Sequence, residues 1–278
     1  MANREVFTGS NMVDLSIIYY TSNWLEDKNP HFLENTKKQL IKAIGKFPLV
    51  IVSQKPTLFG GNTENVVMGD IGRSHLNIYR QILAGCKMAD TDYVAMAEDD
   101  ILYSESHFHS RQIEKEFADN GDVFLFDMNK LSMFTWGKPR FSFRSKRRVV
   151  NQLIAPRQML IDALEERFKR IDYLMKKEGW SEERVIKYWG DPGRYEGILG
   201  VTVRKSIEFY SQVPSIVFSH PEAFGYLNLG KKKRVGDIRI IELEDWGRAE
   251  DVLKLYNGGS NVTEPPEIEY CAEGDEIA

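Results

Sequence analysis

About a third of the way along the chain, an apolar segment, Tyr93-Val94-Ala95-Met96-Ala97, runs straight into Glu98-Asp99-Asp100 and on into Ile101-Leu102-Tyr103. The apolar part reads as a buried strand. Three adjacent carboxylates at its end repel one another, and two arrangements relieve that repulsion. Either a cation sits among them, or they lie exposed on a turn. Carboxylates are hard oxygen ligands that suit Mg²⁺ or Mn²⁺. In open α/β sheets, ligands collect outside the carboxyl ends of the strands. From these residues alone both readings stand.

The residues before this point alternate between strand and helix patterns. Residues 13–20 are β-branched and aromatic and read as a first strand, followed by the small polar residues Thr21, Ser22 and Asn23. These three suit either contact with a nucleotide or a helix-capping turn. Residues 31–46 carry helical periodicity with lysines outside, and 48–53 read as a second strand. A loop from Lys55 through Asn62 leads to a short strand at 66–68. Ser74 then suits the N-cap of a helix over 75–89. The resulting order predicts an α/β fold, a single-domain, mostly parallel sheet flanked by helices. After the acidic strand end, the pattern predicts a helix over 104–119, strands at 122–127 and 149–155, and an amphipathic helix over 157–177. A helix follows from Ser181 to about Tyr188, then a glycine-rich loop (Trp189-Gly190-Asp191-Pro192-Gly193-Arg194-Tyr195-Glu196-Gly197) and a late strand at 215–219 that ends at His220. Residues 1–12 read as a flexible N-terminus and 264–278 as an acidic, disordered tail.

Composition narrows the class. A hydrophobic content of 42% and 278 residues suffice for a large core, and a net charge of -4 gives the whole molecule no polyanion-binding signature. Cys86 and Cys271 form neither a disulfide framework nor a zinc spacing, which suits a reducing, cytoplasmic setting. There is no secretory leader pattern and no apolar run long enough for a membrane span. Asn261-Val262-Thr263 matches a glycosylation sequon that, without a leader, reads as chance. One local exception to the charge balance is residues 134–148. There Phe134, Trp136, Phe141 and Phe143 interleave with Lys138, Arg140, Arg144, Lys146, Arg147 and Arg148. Aromatics stack on bases or sugar rings while cations meet phosphates. The same composition also describes an ordinary charged surface loop with some core aromatics.

Taken together, the strand–helix series ending in Ala97-Glu98-Asp99-Asp100-Ile101-Leu102-Tyr103 resembles the glycosyltransferase A fold, in a family-2-like form. That fold's metal-binding motif is written D-x-D in general and E-D-D in some members. The resemblance runs over residues 13–235. It implies a glycosyltransferase-like domain at 13–263, with a donor half at about 13–130 and an acceptor half at about 131–263. It further implies a metal-dependent enzyme using Mn²⁺ or Mg²⁺ and a nucleoside-diphosphate sugar. On it, Asp100 and the strand-end His220 would be metal ligands. Thr21, Ser22, Asn23, Glu98, Asp99 and the basic residues Lys231, Lys232 and Lys233 would contact the donor. Asp191 or Glu196 would supply a catalytic carboxylate, Asp191 being preferred because Trp189-Gly190 precedes it. Trp136, Lys138, Arg140, Arg144 and Trp189 would face the acceptor. One departure is that Glu98 stands where the general pattern has its first Asp, so the cation could be held differently.

These parts fit transfer of a sugar to a hydroxyl, with the charge on the departing diphosphate stabilised by cations and the acceptor's proton taken by a carboxylate. A hydroxylated base in viral DNA is one acceptor the 134–148 stretch would suit, and such a base would have to leave the stack. Two other classes compete. A sugar-phosphate nucleotidyltransferase shares the sheet but expects a glycine-rich, basic loop after the first strand, where Thr21-Ser22-Asn23-Trp24 stands. A non-catalytic nucleic-acid or glycan-binding module would use the 134–148 stretch and tolerate loss of Asp100.

Overall fold

The computed structural model describes residues 13–59, 63–143, 147–189, 192–193, 195–220 and 240–259. The chain divides into two compact units, Met1–Asn129 with Lys146–Ser215, and Lys130–Ser145 with Ile216–Ala278.

The first unit is built on a seven-stranded sheet. Its strands are β1 (Leu15–Thr21), β2 (Leu49–Ser53), β3 (Thr63–Val67), β4 (Tyr93–Glu98), β6 (Phe124–Asp127), β9 (Leu153–Pro156) and β10 (Ser206–Phe209), with the two-residue β5 (Ile101–Leu102) following β4. The spatial order is β10-β6-β9-β4-β1-β2-β3. β1 pairs in parallel with β2 and β4, β2 with β3, and β6 with β10; β9 alone runs antiparallel to its neighbours β4 and β6. This is the mixed α/β, mostly parallel sheet that the strand–helix order predicts. Leu15 to Thr21 and Leu49 to Ser53 are buried along their whole length, as parallel strands covered on both faces must be.

Helices α1 (Trp24–Lys28), α2 (Pro30–Ile44), α3 (His75–Met88), α4 (Glu105–Phe108), α5 (Arg111–Asn120), α6 (Arg157–Lys177), α7 (Glu182–Trp189) and α8 (Glu196–Leu199) complete this unit. Their starts are chemically marked. Asn29 accepts from the Phe32 N–H ahead of Pro30, and Ser74 accepts from the Asn77 N–H. Leu76, Tyr79, Ile82 and Cys86 of α3 share one core with Leu160, Leu164 and Ile171 of α6 and the sheet residues Ile18, Val52 and Met96. Each large side chain so buried contributes about 1.5–3 kcal/mol. The approach of α3 to the sheet depends on Gly85: a Cβ there would stand 2.4 Å from Ile18 Cγ2 and 3.0 Å from Val52 Cγ2.

Several boundaries differ from the sequence expectation. The helix expected over 104–119 is two helices. His109 closes α4, its ring stacked on Phe47 at 4.6 Å, and Ser110 caps the separate α5 through the Gln112 N–H. Ser104 gives α4 no side-chain cap because its hydroxyl donates to the Val213 carbonyl instead. The strand expected at 149–155 begins as a 3₁₀ turn, Val150–Gln152, before β9.

In the second unit, β7 (Lys130–Phe134) and β8 (Phe141–Phe143) form an antiparallel hairpin, with β11 (Ser215–Ser219) on the other side of β7. The short β12 (Glu242–Leu243) and β13 (Gly247–Arg248) lead into α9 (Ala249–Asn257). Phe141 pairs with Ile240, so the outer edge of the hairpin is covered there. Among the described residues no helix is long and apolar enough to cross a membrane.

Candidate donor site at the carboxyl ends of the central strands

From β1 the chain proceeds to β2 and β3 on one side and then crosses to β4 on the other. The direction of winding therefore reverses between β1 and β4. In open α/β sheets the splayed loops on either side of such a reversal leave a crevice at the carboxyl ends. Register puts Tyr20 of β1 opposite Glu98 of β4, so the next residues of both strands, Thr21 and Asp99, lie at that crevice. The Thr21 hydroxyl donates to Asp99 Oδ2 at 2.6 Å and accepts from the Asn23 N–H at 2.9 Å. Asp99 and Asp100 form the tight turn between β4 and β5.

Asn23 is a clamp. Its backbone is left-handed (φ 61°), a conformation Asn tolerates better than most residues. Its Oδ1 accepts from the N–H groups of Gln54 and Lys55, each at 2.9 Å, and its Nδ2 donates to Glu26 Oε2 and to the Lys55 carbonyl. The end of β1 is thereby tied to the chain leaving β2. Gln81 of α3 adds a second tie, donating to the Thr21 carbonyl at 2.7 Å and to that of Val52 at 3.3 Å. The turn expected to contact the donor or cap a helix thus heads α1 and is rigid, and Ser22 is half-buried within it.

Glu98 sits differently from its two neighbours. Tyr20 donates to Oε1 and Asn151 Nδ2 to Oε2, both at 2.6 Å. Burial, and then the charge of Asp100, push its carboxyl up to about 8 against the lowering effect of those two hydrogen bonds. The Glu98 N–H donates to the Tyr103 hydroxyl at 3.1 Å, and that hydroxyl donates to the Asn151 carbonyl at 2.9 Å. Burial likewise holds the phenols of Tyr19, Tyr20 and Tyr103 well above their usual range, with nearby carboxylates adding to it. The Tyr19 hydroxyl and both ends of the fully buried Gln152 carboxamide find no hydrogen-bond partner among the described residues.

Among the described residues, no three His, Cys, Asp or Glu side chains are arranged to hold a metal ion. Mg²⁺ and Mn²⁺ also bind together with phosphorylated substrates. There, one or two carboxylates suffice and phosphate oxygens and water complete the shell. Asp99 and Asp100 carry hard oxygen donors of that kind.

Glu196 opens α8 and forms a buried ion pair with Arg167 Nη2 at 2.6 Å, while also accepting from the Gly193 N–H. That is an environment for holding a loop. His220 directly follows β11, is 4% exposed, and its ring centroid lies 6.1 Å from that of Tyr256 of α9. The 134–148 stretch begins in the β7–β8 hairpin. Phe134 and Phe141 are buried, Trp136 packs edge-on to Phe134 at 5.2 Å, and Trp136, Lys138 and Arg140 occupy the turn between β7 and β8. Arg148 pairs with Glu208 and Ser206 of β10. Trp189 ends α7. Asp191, Arg144, Lys231, Lys232 and Lys233 lie outside the described residues, as do 1–12 and 264–278.

Sequence reasoning missed Tyr20, Asn151 and Gln81, which build the site from behind. It also missed His107 Nδ1, which lies 2.8 Å from Asp127 Oδ2 with both side chains fully buried. Asp127 Oδ1 in turn accepts from the N–H groups of Asn129 and Ser211, bracing the end of β6. The phenol hydroxyls of Tyr19-Tyr20 at the end of a buried strand were the available signal for the first. Asn151 carried none.

No family model matches the chain, and no curated protein matches it. Solved structures do. S. aureus TarS 1–349 in complex with UDP-GlcNAc is similar at a TM-score of 0.43 and 10% identity, over 78% of this chain and 64% of that one. 2-C-methyl-D-erythritol 4-phosphate cytidylyltransferase from Thermus thermophilus is similar at 0.43 and 11%, over 76% and 95%. CMP:2-keto-3-deoxy-manno-octonic acid synthetase complexed with CTP is similar at 0.38 and 10%, over 71% and 90%. The chain thus spans less than two thirds of the TarS fragment it matches. Likeness at this level says nothing about chemistry, so the functional reading rests on the site.

Proposed function

We propose that the chain is a metal-dependent glycosyltransferase that takes a nucleoside-diphosphate sugar at the β1/β4 crevice and moves the sugar to a hydroxyl acceptor. The observation that carries this is the coincidence of the winding reversal with the Asp99–Asp100 turn, Asp99 being fixed by Thr21. Asp100, with Asp99 beside it, would hold Mn²⁺ or Mg²⁺, which when bound supplies positive charge against the donor's two phosphates. The rigid Thr21–Asn23 turn sets one wall, so the donor meets a preorganised surface. In the transfer, the bond from the sugar's anomeric carbon to the diphosphate breaks, the acceptor oxygen bonds to that carbon, and a carboxylate takes its proton. Asp191 is the candidate for that base, and Lys231, Lys232 and Lys233 are candidates for neutralising the diphosphate. His220 is a further candidate ligand.

A nucleotidyltransferase is the competing enzyme class. The Asn23 clamp counts against it, because all four hydrogen-bonding positions of that side chain are spent on the protein and the turn carries no glycine. The test is release of nucleoside diphosphate from UDP-, GDP-, CDP- and dTDP-sugars with Mn²⁺, with and without hydroxymethylated DNA. Metal-dependent release that falls at least 100-fold in Asp100→Ala supports the reading, and stimulation by the DNA supports a nucleic-acid acceptor. Pyrophosphate released from nucleoside triphosphate and sugar phosphate would favour the nucleotidyltransferase. Folded protein that acts on no donor would favour a binding module.

A further inference from the structure

We infer that Asn151 is a positioning residue of this donor site: with Tyr20 and Tyr103 it holds Glu98 as a buttress behind the Asp99–Asp100 turn. The inference rests on the donor reading above and assigns a role within it.

Three separate stretches of the chain meet at Glu98. Tyr20 comes from β1, Glu98 from the end of β4, Tyr103 from just beyond β5, and Asn151 from the 3₁₀ turn that enters β9. β9 runs antiparallel to β4, with Ala95 opposite Ile154, which brings the start of β9 and the turn before it to the carboxyl end of β4. The contacts close a ring. The Glu98 N–H donates to the Tyr103 hydroxyl, that hydroxyl donates to the Asn151 carbonyl, and the Asn151 amide returns to Glu98 Oε2. Tyr20 takes the other oxygen. Tyr103 is fully buried, Tyr20 is 3% exposed and Asn151 8%, so water competes little for these bonds.

Both Glu98 oxygens are therefore engaged from behind the strand. On the donor reading, the carboxylates that meet the donor and its cation are those of the turn, Asp99 and Asp100. The ring spans the turn, joining the residue before it (Glu98) to one just after it (Tyr103), so it fixes how the turn is presented. Asn151 suits this place because its amide donates to a carboxylate. An ionised acid there would have no such donor. Groups that orient ligands in this way typically change metal affinity 10- to 100-fold when removed.

The experiment measures Mn²⁺ affinity by the electron paramagnetic resonance of the free ion, with UDP, GDP, CDP and dTDP in turn. It compares wild type with Asn151→Ala, Tyr103→Phe, Glu98→Gln, Glu98→Ala and Asp100→Ala, each checked for folding by circular dichroism. Asn151→Ala and Glu98→Ala should weaken Mn²⁺ at least tenfold and Tyr103→Phe should weaken it less. Glu98→Gln keeps one acceptor for the ring and should stay within about threefold of wild type, while Asp100→Ala should bind no Mn²⁺. If wild type binds Mn²⁺ with a nucleotide but Asn151→Ala and Glu98→Ala bind equally well, the positioning role is overturned and the donor reading stands. If Glu98→Gln falls as far as Asp100→Ala, Glu98 is a ligand and the role is likewise overturned. If wild type binds none, the donor reading fails and takes the role with it. Should Asn151→Ala not fold, Tyr103→Phe decides: it loses one hydroxyl, and unchanged Mn²⁺ affinity there overturns the ring.

Discussion

Replacing Arg167 with methionine should separate a structural Glu196 from a catalytic one. Arg167 is 1% exposed, and its guanidinium lies 2.6 Å from a Glu196 carboxylate that is itself almost wholly buried. Methionine keeps much of the aliphatic stem but leaves that carboxylate without its cation. Removing one partner of a buried pair costs about 3–5 kcal/mol. At about 2–4 °C per kcal/mol for a unit of this size, the midpoint should fall by roughly 6–20 °C. The pair also restrains its surroundings. Tyr195, just before Glu196, has a left-handed backbone at φ 59°, and the Gly193 N–H donates to the same carboxylate. A bulky residue in that conformation costs about 1–3 kcal/mol and persists only where the structure around it insists. Urea denaturation of Arg167→Met, Glu196→Gln and Arg167→Met/Glu196→Leu would measure this. The single changes should each lower stability by several kcal/mol, and the double change should recover much of the loss, because no buried charge is then left unpaired. Turnover per folded molecule should stay within a few-fold of wild type in Glu196→Gln. A Glu196→Gln protein of wild-type stability and abolished turnover would refute the reasoning and restore Glu196 as a catalytic carboxylate.

Other outcomes follow from single features. Gly85→Ala should destabilise by up to about 2 kcal/mol in urea, because overpacking of about 1–3 kcal/mol against Ile18 and Val52 outweighs the roughly 1 kcal/mol of helix propensity gained; greater stability would refute the close approach. Burial pushes the Cys86 thiol up to about 12, so in Cys271→Ser protein a disulfide reagent at pH 8 should react only once urea unfolds the chain; rapid reaction of native protein would refute it. The Glu98 carboxyl is raised in the folded state, so from its unfolded value, about pH 4.5, up to about pH 8 the folded chain holds a proton that the unfolded chain has lost. Metal-free stability should then be highest below that window and fall as pH rises through it, and Glu98→Gln should flatten the fall; a wild-type profile as flat as the variant's would refute it.

The site was legible in part. Glu98, Asp99 and Asp100 announce themselves because acids at the end of an apolar run break a local rule. The sequence has no comparable way to say that the three differ. Glu98 is turned to Tyr20 and Asn151 while Asp99 is held by Thr21, and partners 53 to 78 residues apart decide that. Glu196 shows the same limit, since nothing in the glycine-rich loop tells that Arg167, 29 residues earlier in the chain, pairs with it. In the 134–148 stretch Phe134 and Phe141 are buried in the hairpin while Phe143 is exposed, a difference that the interleaving of aromatic and basic residues does not show.

By itself, the sequence determined what depends on neighbours along the chain. Apolar runs made β1, β2 and β4 strands, Ser74 and Asn29-Pro30 started α3 and α2, and the β-α-β order implied a largely parallel sheet. Only the tertiary structure decided the strand order, the antiparallel β9, the winding reversal between β1 and β4, and the ring that holds Glu98. Propensity and capping act within a few residues, whereas strand order and hydrogen-bond partners are chosen by which distant segments can bury their surfaces together, a choice that only the folded chain makes.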